Sequence, residues 1–198
     1  MVVAIGVIPN TEFLVGSGIE LSEGFRKGVE VNKFLQTNHP DIYSAGDCAT
    51  VEWFNGVRRP EQLWYTGRDQ GVLAAQNMLG DKKEYVRGTL YNSAKLFDVE
   101  YTTAGLVNFP LEGLSEWYQE RPDKCISQRI TLQDGAIIGF NALGSRWDHS
   151  YFTRWIEERR PLDWILEHMK EAVFDAEFAT PFKVLPNAET YDLPSPQK

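Results

Sequence analysis

Cysteine is scarce in this 198-residue chain. Cys48 and Cys125 lie far apart and form no Cys-x-x-Cys, which excludes a disulfide framework and a closely spaced redox dithiol. The three histidines, His39, His149 and His168, are too scattered to suggest a metal site. No apolar run approaches the roughly 18 residues that a membrane span needs. The apolar residues Val2 to Ile5 follow Met1 with no basic stretch before them and no small-residue cleavage site after them, so a signal peptide is not supported. A reducing, cytoplasmic compartment is therefore the expectation. Basic residues are also in deficit, 20 against 28 acidic ones. The net charge of -8, spread over both halves, argues against a nucleic-acid binder or a basic membrane-surface module. There is no P-loop, no HExxH and no G-x-S-x-G, and Gly16-Ser17-Gly18 lacks the third glycine of a dinucleotide loop.

What remains is ordinary globular material, 42% hydrophobic and 24% charged. Val2 to Ile5 read as a buried strand, β-branched and apolar on both faces, and Gly6 to Thr11 as the turn that leaves it. Val29 and Val31 alternate with polar neighbours as a half-exposed strand. Ile42 to Ala45 read as a second buried strand, stopped by Gly46-Asp47. A helix is expected from about Trp64 to Leu79, with Gly80 as its C-cap. Lys95 to Val107 read as extended. In Cys125 to Leu143, apolar and polar residues alternate around Asp134-Gly135, a strong hairpin signal. Two helices follow, Ser150 to Arg159 and Pro161 to Phe174, with Pro161 expected at the first position of the second. The stretch after about residue 175 holds four prolines and reads as an irregular tail. The expected boundary lies near residues 80–86, with one domain over 1–80 and another over 86–198.

Thr37 to Ala49, TNHPDIYSAGDCA, carries the chemistry. A buried strand would deliver its C-terminal edge to a cofactor crevice. Gly46 would allow close backbone approach, and Asp47 would present a fixed carboxylate acceptor. A plain strand followed by a Gly-Asp turn is the alternative. The segment resembles the second flavin-binding motif of the FAD-dependent pyridine nucleotide-disulfide oxidoreductases. Three further segments carry the resemblance in order: Val2 to Leu14, the helix Trp64 to Gly80 with Gln70-Gly71 and Ala74-Ala75, and Asn92 to Gly105. Arg159-Arg160-Pro161-Leu162 is similar to the last helix of that family's interface domain. Within the family the chain looks most like the NADH oxidase, rubredoxin reductase and nitrite reductase-like branch. The His-Pro motif of the glutathione reductase branch has no counterpart, because His39-Pro40 lies in a turn before the flavin segment.

The resemblance implies an α/β remnant of an FAD-binding domain followed by an α+β interface domain built on an antiparallel sheet. It places Gly46 and Asp47 at the flavin ribityl side. It places Leu63, Trp64, Tyr65 and Thr66 at a helix N-terminus pointing at the flavin pyrimidine, where free N–H groups and the helix dipole favour negative charge. The cofactors implied are FAD and NAD(P)H, for a parent enzyme that passes hydride between them. The GxGxxG that cradles the FAD diphosphate, the NAD(P)H domain and the segment bearing the family's redox cysteine have no counterpart in these residues. The expectation is therefore a C-terminal fragment that neither retains FAD nor oxidises NADH alone, with no catalytic residue and no metal ligand of its own. The partner expected is a second copy, in a homodimer through the C-terminal domain, with neither nucleic acid nor membrane. The alternative is a non-catalytic dimerisation or binding module derived from the family. Cys48 reads as a structural thiol, His168 as a partly exposed structural residue, and the six tryptophans as core and interface.

Overall fold

The computed structural model describes residues 1–194 except 2, 4, 54, 55, 178 and 180. They form two units, Met1–Gly88 and Thr89–Lys198.

The first unit is built around a small three-stranded sheet. β1 (Val29–Glu30) pairs in parallel with β2 (Ala49–Glu52), which pairs antiparallel with β3 (Arg58–Pro60). One helix, α1 (Trp64–Met78), follows. The core is formed by Val29, Val31, Leu35, Ala49, Val51 and Ala74. The helix ends as the sequence suggests. The amide of Gly80 donates to the Asn77 carbonyl at 3.0 Å, and Gly80 sits at φ +100°, where a residue without a Cβ is favoured.

Two strand expectations fail in this unit. Val2 and Ala4 lie outside the described residues, and the flanking Val3 and Ile5 are exposed and belong to no strand. Ile42 to Ala45 makes only one isolated bridge, Gln36 to Tyr43, among the described residues. The apolar pattern is a property of the segment, whereas a strand needs a partner backbone on its edge. Leu35 to Thr37 supply one bridge with two backbone bonds, too few for a strand ladder.

The second unit is a six-stranded antiparallel sheet in the order β4-β5-β8-β7-β6-β9, packed against two helices. β4 (Tyr91–Leu96) and β5 (Val99–Gly105) form a hairpin where one extended stretch was expected. The turn falls at Phe97, a non-glycine residue at φ +54°, so the usual Asn-Gly or Asp-Gly signal was missing. β7 (Ile126–Gln133) and β8 (Ala136–Leu143) form the hairpin read from the sequence. Its central residues Asp134 (φ +51°) and Gly135 (φ +75°) both lie in the left-handed region, as a type I′ turn requires. β6 (Leu114–Arg121) pairs with β7, and β9 (Glu189–Asp192) closes the far edge on β6.

β9 corrects the irregular-tail expectation. Proline density is the right signal for the segment around it, but Glu189–Asp192 is a proline-free stretch between Pro186 and Pro194. The Leu185 amide donates to the Gln119 side chain at 2.8 Å and aims the chain back at the sheet.

α2 (His149–Glu157) is capped by Asp148, whose carboxylate accepts from the Ser150 amide at 2.9 Å. α3 (Leu162–His168) is shorter than expected and passes into a single 3₁₀ turn, Met169–Ala172. Pro161 is its N-cap rather than its first residue, held extended by a bridge to Ala136. The core joins both helices to the sheet. Phe140 of β8 stacks on Phe152 of α2 with ring centroids 3.6 Å apart, and Trp155, Ile165 and Met169 are wholly buried. Three of the four tryptophans of this unit are core residues, as expected, and Trp164 covers its edge, half-buried.

Candidate functional site

Gly46 opens a 3₁₀ turn, Gly46–Cys48, at φ +78°. Across from it stands the first turn of α1. A Cβ on Gly67 would lie 3.4 Å from the Gly46 Cα, and one on Gly46 would lie 3.7 Å from the Gly67 Cα. Two glycines therefore let the turn and the helix approach backbone to backbone. One side chain fixes that approach. Gln70, wholly buried, accepts the Gly46 N–H at 2.7 Å and donates to the Tyr85 hydroxyl at 3.2 Å. Burial, the larger influence, raises the Tyr85 pKa above its usual value and keeps that hydroxyl protonated.

The sequence-derived residues thus come together in one place. Gly46 is half-buried and Asp47 is exposed, and among the described residues no cation or donor pairs with the Asp47 carboxylate. Leu63 is the N-cap of α1, and its carbonyl accepts from the Thr66 hydroxyl at 3.0 Å and from the Gly67 amide at 2.9 Å. No side chain caps the helix start, and its first turn carries no acidic residue. The leading N–H groups are therefore left to another acceptor, in a place where the helix dipole favours negative charge. Thr66 is buried, Tyr65 half-buried, and Trp64 is 70% exposed. Trp64 meets Tyr65 edge-on at 5.2 Å, with the Arg68 guanidinium 5.5 Å from its ring.

A second set of residues supports the helix start, and sequence reasoning missed it. Glu61 and Arg87 form a two-pronged ion pair with side-chain exposures of 6% and 4%. Arg87 Nε donates to Glu61 Oε2 at 3.0 Å, and Arg87 Nη2 bonds the other oxygen. Glu61 lies two residues before the N-cap, so the pair fixes where α1 begins. Beside it, the Arg59 guanidinium lies 3.4 Å from the centroid of the Trp53 ring. Desolvation lowers the Arg59 pKa, and neighbouring Glu61 opposes that shift. The sequence separation of 26 hid the Glu61–Arg87 pair from any local pattern.

The other candidates are structural. Cys48 is half-buried, with its sulfur 3.5 Å from the Ser44 hydroxyl. His168 stacks on Trp164 with centroids 3.7 Å apart. His39 belongs to a turn closed by the Thr37 hydroxyl. Among the described residues no group of His, Cys, Asp or Glu could hold a metal ion, and no helix is long and apolar enough to cross a membrane.

Tested against FAD, the first unit fits part of the cofactor. The Gly46 turn, the Asp47 acceptor and the uncapped α1 start suit a polyol and a ring edge that accepts hydrogen bonds and negative charge. Nothing among these residues has the glycine-rich strand-turn-helix that a diphosphate needs. In class, the fold is an α/β unit with a cofactor-type turn, followed by an α+β unit with an antiparallel sheet.

Comparison with known proteins supplies the family. Residues 1–71 match the family described as pyridine nucleotide-disulphide oxidoreductase, and the chain belongs to it. It is 44% identical over 86 residues to apoptosis-inducing factor 3 of Homo sapiens, covering 42% of this chain and 14% of that one. It is 40% identical over 156 residues to the human pyridine nucleotide-disulfide oxidoreductase domain-containing protein 1, covering 73% of this chain and 30% of the relative. A solved NAD-dependent persulfide reductase from A. fulgidus shares the fold, with a TM-score of 0.65 at 19% identity over 82% of this chain and 33% of that one. The chain therefore spans less than a third of the length of each of the two curated relatives. The family is one of FAD- and NAD(P)H-dependent oxidoreductases.

Proposed function

We propose that the first unit supplies the flavin-facing part of an FAD site in an NAD(P)H-dependent oxidoreductase. The observation that carries this reading is the clasp of the Gly46–Asp47 turn against the uncapped start of α1. Asp47 would accept a hydroxyl of the ribityl chain. The backbone N–H groups of Trp64, Tyr65 and Thr66 would face the pyrimidine edge, where the helix dipole favours negative charge. Bound FAD supplies the hydride chemistry. These residues bind it, orient it and favour its reduced form, and none of them transfers a proton. The branch favoured by the sequence is that of NADH oxidase, rubredoxin reductase and nitrite reductase-like enzymes, acting in the cytoplasm.

These 198 residues alone would not hold FAD tightly, because two contacts at the ring end leave the dinucleotide diphosphate without a cradle. The second unit is read as the interface domain, forming a two-fold homodimer. The direct test is to purify the chain and titrate it with FAD while following flavin fluorescence. No co-purified flavin and no tight binding are expected. A yellow protein with stoichiometric FAD and no other polypeptide would overturn this part of the proposal. A second reading, a dimerisation module without redox chemistry, is favoured by the second unit's self-sufficient core. Sedimentation that shows a dimer, with no flavin response in any longer natural polypeptide bearing these residues, would select it.

A further inference from the structure

The sheet face of the second unit that carries Glu116 holds a polar row that the flavin reading leaves unexplained. Register places Tyr191 of β9, Glu116 of β6, Thr131 of β7 and Gly139 of β8 side by side across four strands. Directly opposed residues share a face, so their side chains emerge together. Glu116 and Thr131 are 1% and 0% exposed.

The two Glu116 oxygens are treated unequally. Oε1 accepts from the Tyr191 hydroxyl at 2.5 Å and lies 3.1 Å from Arg129 Nε. Oε2 is buried and has no hydrogen-bond partner among the described residues, and the same is true of Thr131 Oγ1 on the next strand. Two adjacent buried polar atoms without partners would each cost about 1–3 kcal/mol. The site also has a third polar wall. Gly139, the next residue in the row, has no side chain, and the Leu106 carbonyl oxygen lies 2.2 Å from the position its Cβ would take. A β-bulge between Thr131 and Leu132 disturbs the ladder at this point.

We propose that this row is a binding site for one internal water molecule, which bridges Glu116 Oε2 and Thr131 Oγ1 beside the Leu106 carbonyl. A buried water needs two to four polar partners, and the row provides three. The occupant is neutral because the Arg129 guanidinium already offsets the Glu116 charge, so a second cation would meet it. The bridge ties β6, β7 and the residue that follows β5. It thereby fixes Glu116, on which the edge strand β9 is anchored through Tyr191.

The decisive experiment is a crystal structure of the chain at about 1.5 Å or better, paired with Thr131→Val and Thr131→Ser in urea unfolding. A solvent peak within hydrogen-bond distance of both atoms is expected. Valine should lower the folded-to-unfolded ratio by about fivefold relative to the wild type, the size of one net hydrogen bond. A site without solvent density overturns the proposal. So does a valine variant as stable as the wild type or more stable, since removing an unpaired buried hydroxyl relieves a penalty. Stabilisation by ammonium chloride beyond that by sodium chloride would also overturn it, because the occupant would then be a cation. If the valine variant fails to fold, the density in the wild-type crystal decides alone.

Discussion

Gln70 holds the proposed site together, and replacing it with leucine gives a prediction with a definite size. The substitution nearly conserves volume, so it isolates the two hydrogen bonds from cavity formation. The Gly46 amide would lose its acceptor at 2.7 Å, and the Tyr85 hydroxyl its donor at 3.2 Å. Leaving a buried amide without a partner costs about 1–3 kcal/mol, and the Tyr85 bond adds about 1 kcal/mol. Gly46 is only half-buried, so water recovers part of the first figure. The expected loss is about 2 kcal/mol for the first unit, close to thirtyfold in its folded-to-unfolded ratio. Native-state hydrogen exchange by NMR reads this directly, because it reports each unit separately. Exchange of core amides such as Val51 should quicken by that factor in Gln70→Leu, and the Gly46 amide should lose its protection. If Gly46 stays protected and the core amides shift by less than about 0.5 kcal/mol, Gln70 does not hold the turn against the helix.

Removing one partner of the buried Glu61–Arg87 pair should cost about 3–5 kcal/mol, because it strands a charge. The double replacement Glu61→Leu with Arg87→Met should recover much of that loss in a denaturant double-mutant cycle. The Tyr191 pKa is pushed up to about 12, first by its hydrogen bond to Glu116, then by burial and by the charge of that carboxylate. A raised pKa means that the protonated form belongs to the folded state. The associated stability is fully present below pH 10 and is lost as pH rises towards 12. Unfolding midpoints followed by circular dichroism should fall more steeply over that window in the wild type than in Tyr191→Phe. Phe152→Ala should cost about 3–5 kcal/mol in the second unit, because it deletes the ring stacked on Phe140. Thermal unfolding scored by loss of near-ultraviolet signal would check it.

The parts legible in the sequence were those set by local chemistry. The Asp134-Gly135 hairpin follows from two residues that accept left-handed conformations. Helix α1 follows from its composition and the glycine that ends it. The Gly46–Asp47 turn and the start of α1 were each visible, and the structure puts them against each other through Gly67. Features that depend on distant partners were not legible. Ile42 to Ala45 has a strand's composition but meets only the short segment Leu35 to Thr37, through a single bridge. β9 lay between two pairs of prolines that masked four residues able to close a sheet edge. Glu61 and Arg87, or Glu116 and Tyr191, meet only after the chain has folded back, 26 and 75 residues apart. No periodicity encodes such meetings.

If the Gly46–Asp47 turn and the α1 start face a flavin together, their own amides report it. An NMR titration of the isotopically labelled 198-residue chain with millimolar FAD tests it without requiring tight binding. Saturable, weak shifts confined to the amides of 46–48 and 63–67, reduced in Asp47→Ala without loss of fold, are predicted. Shifts that map elsewhere, or no shifts at those amides under saturating flavin, would contradict it.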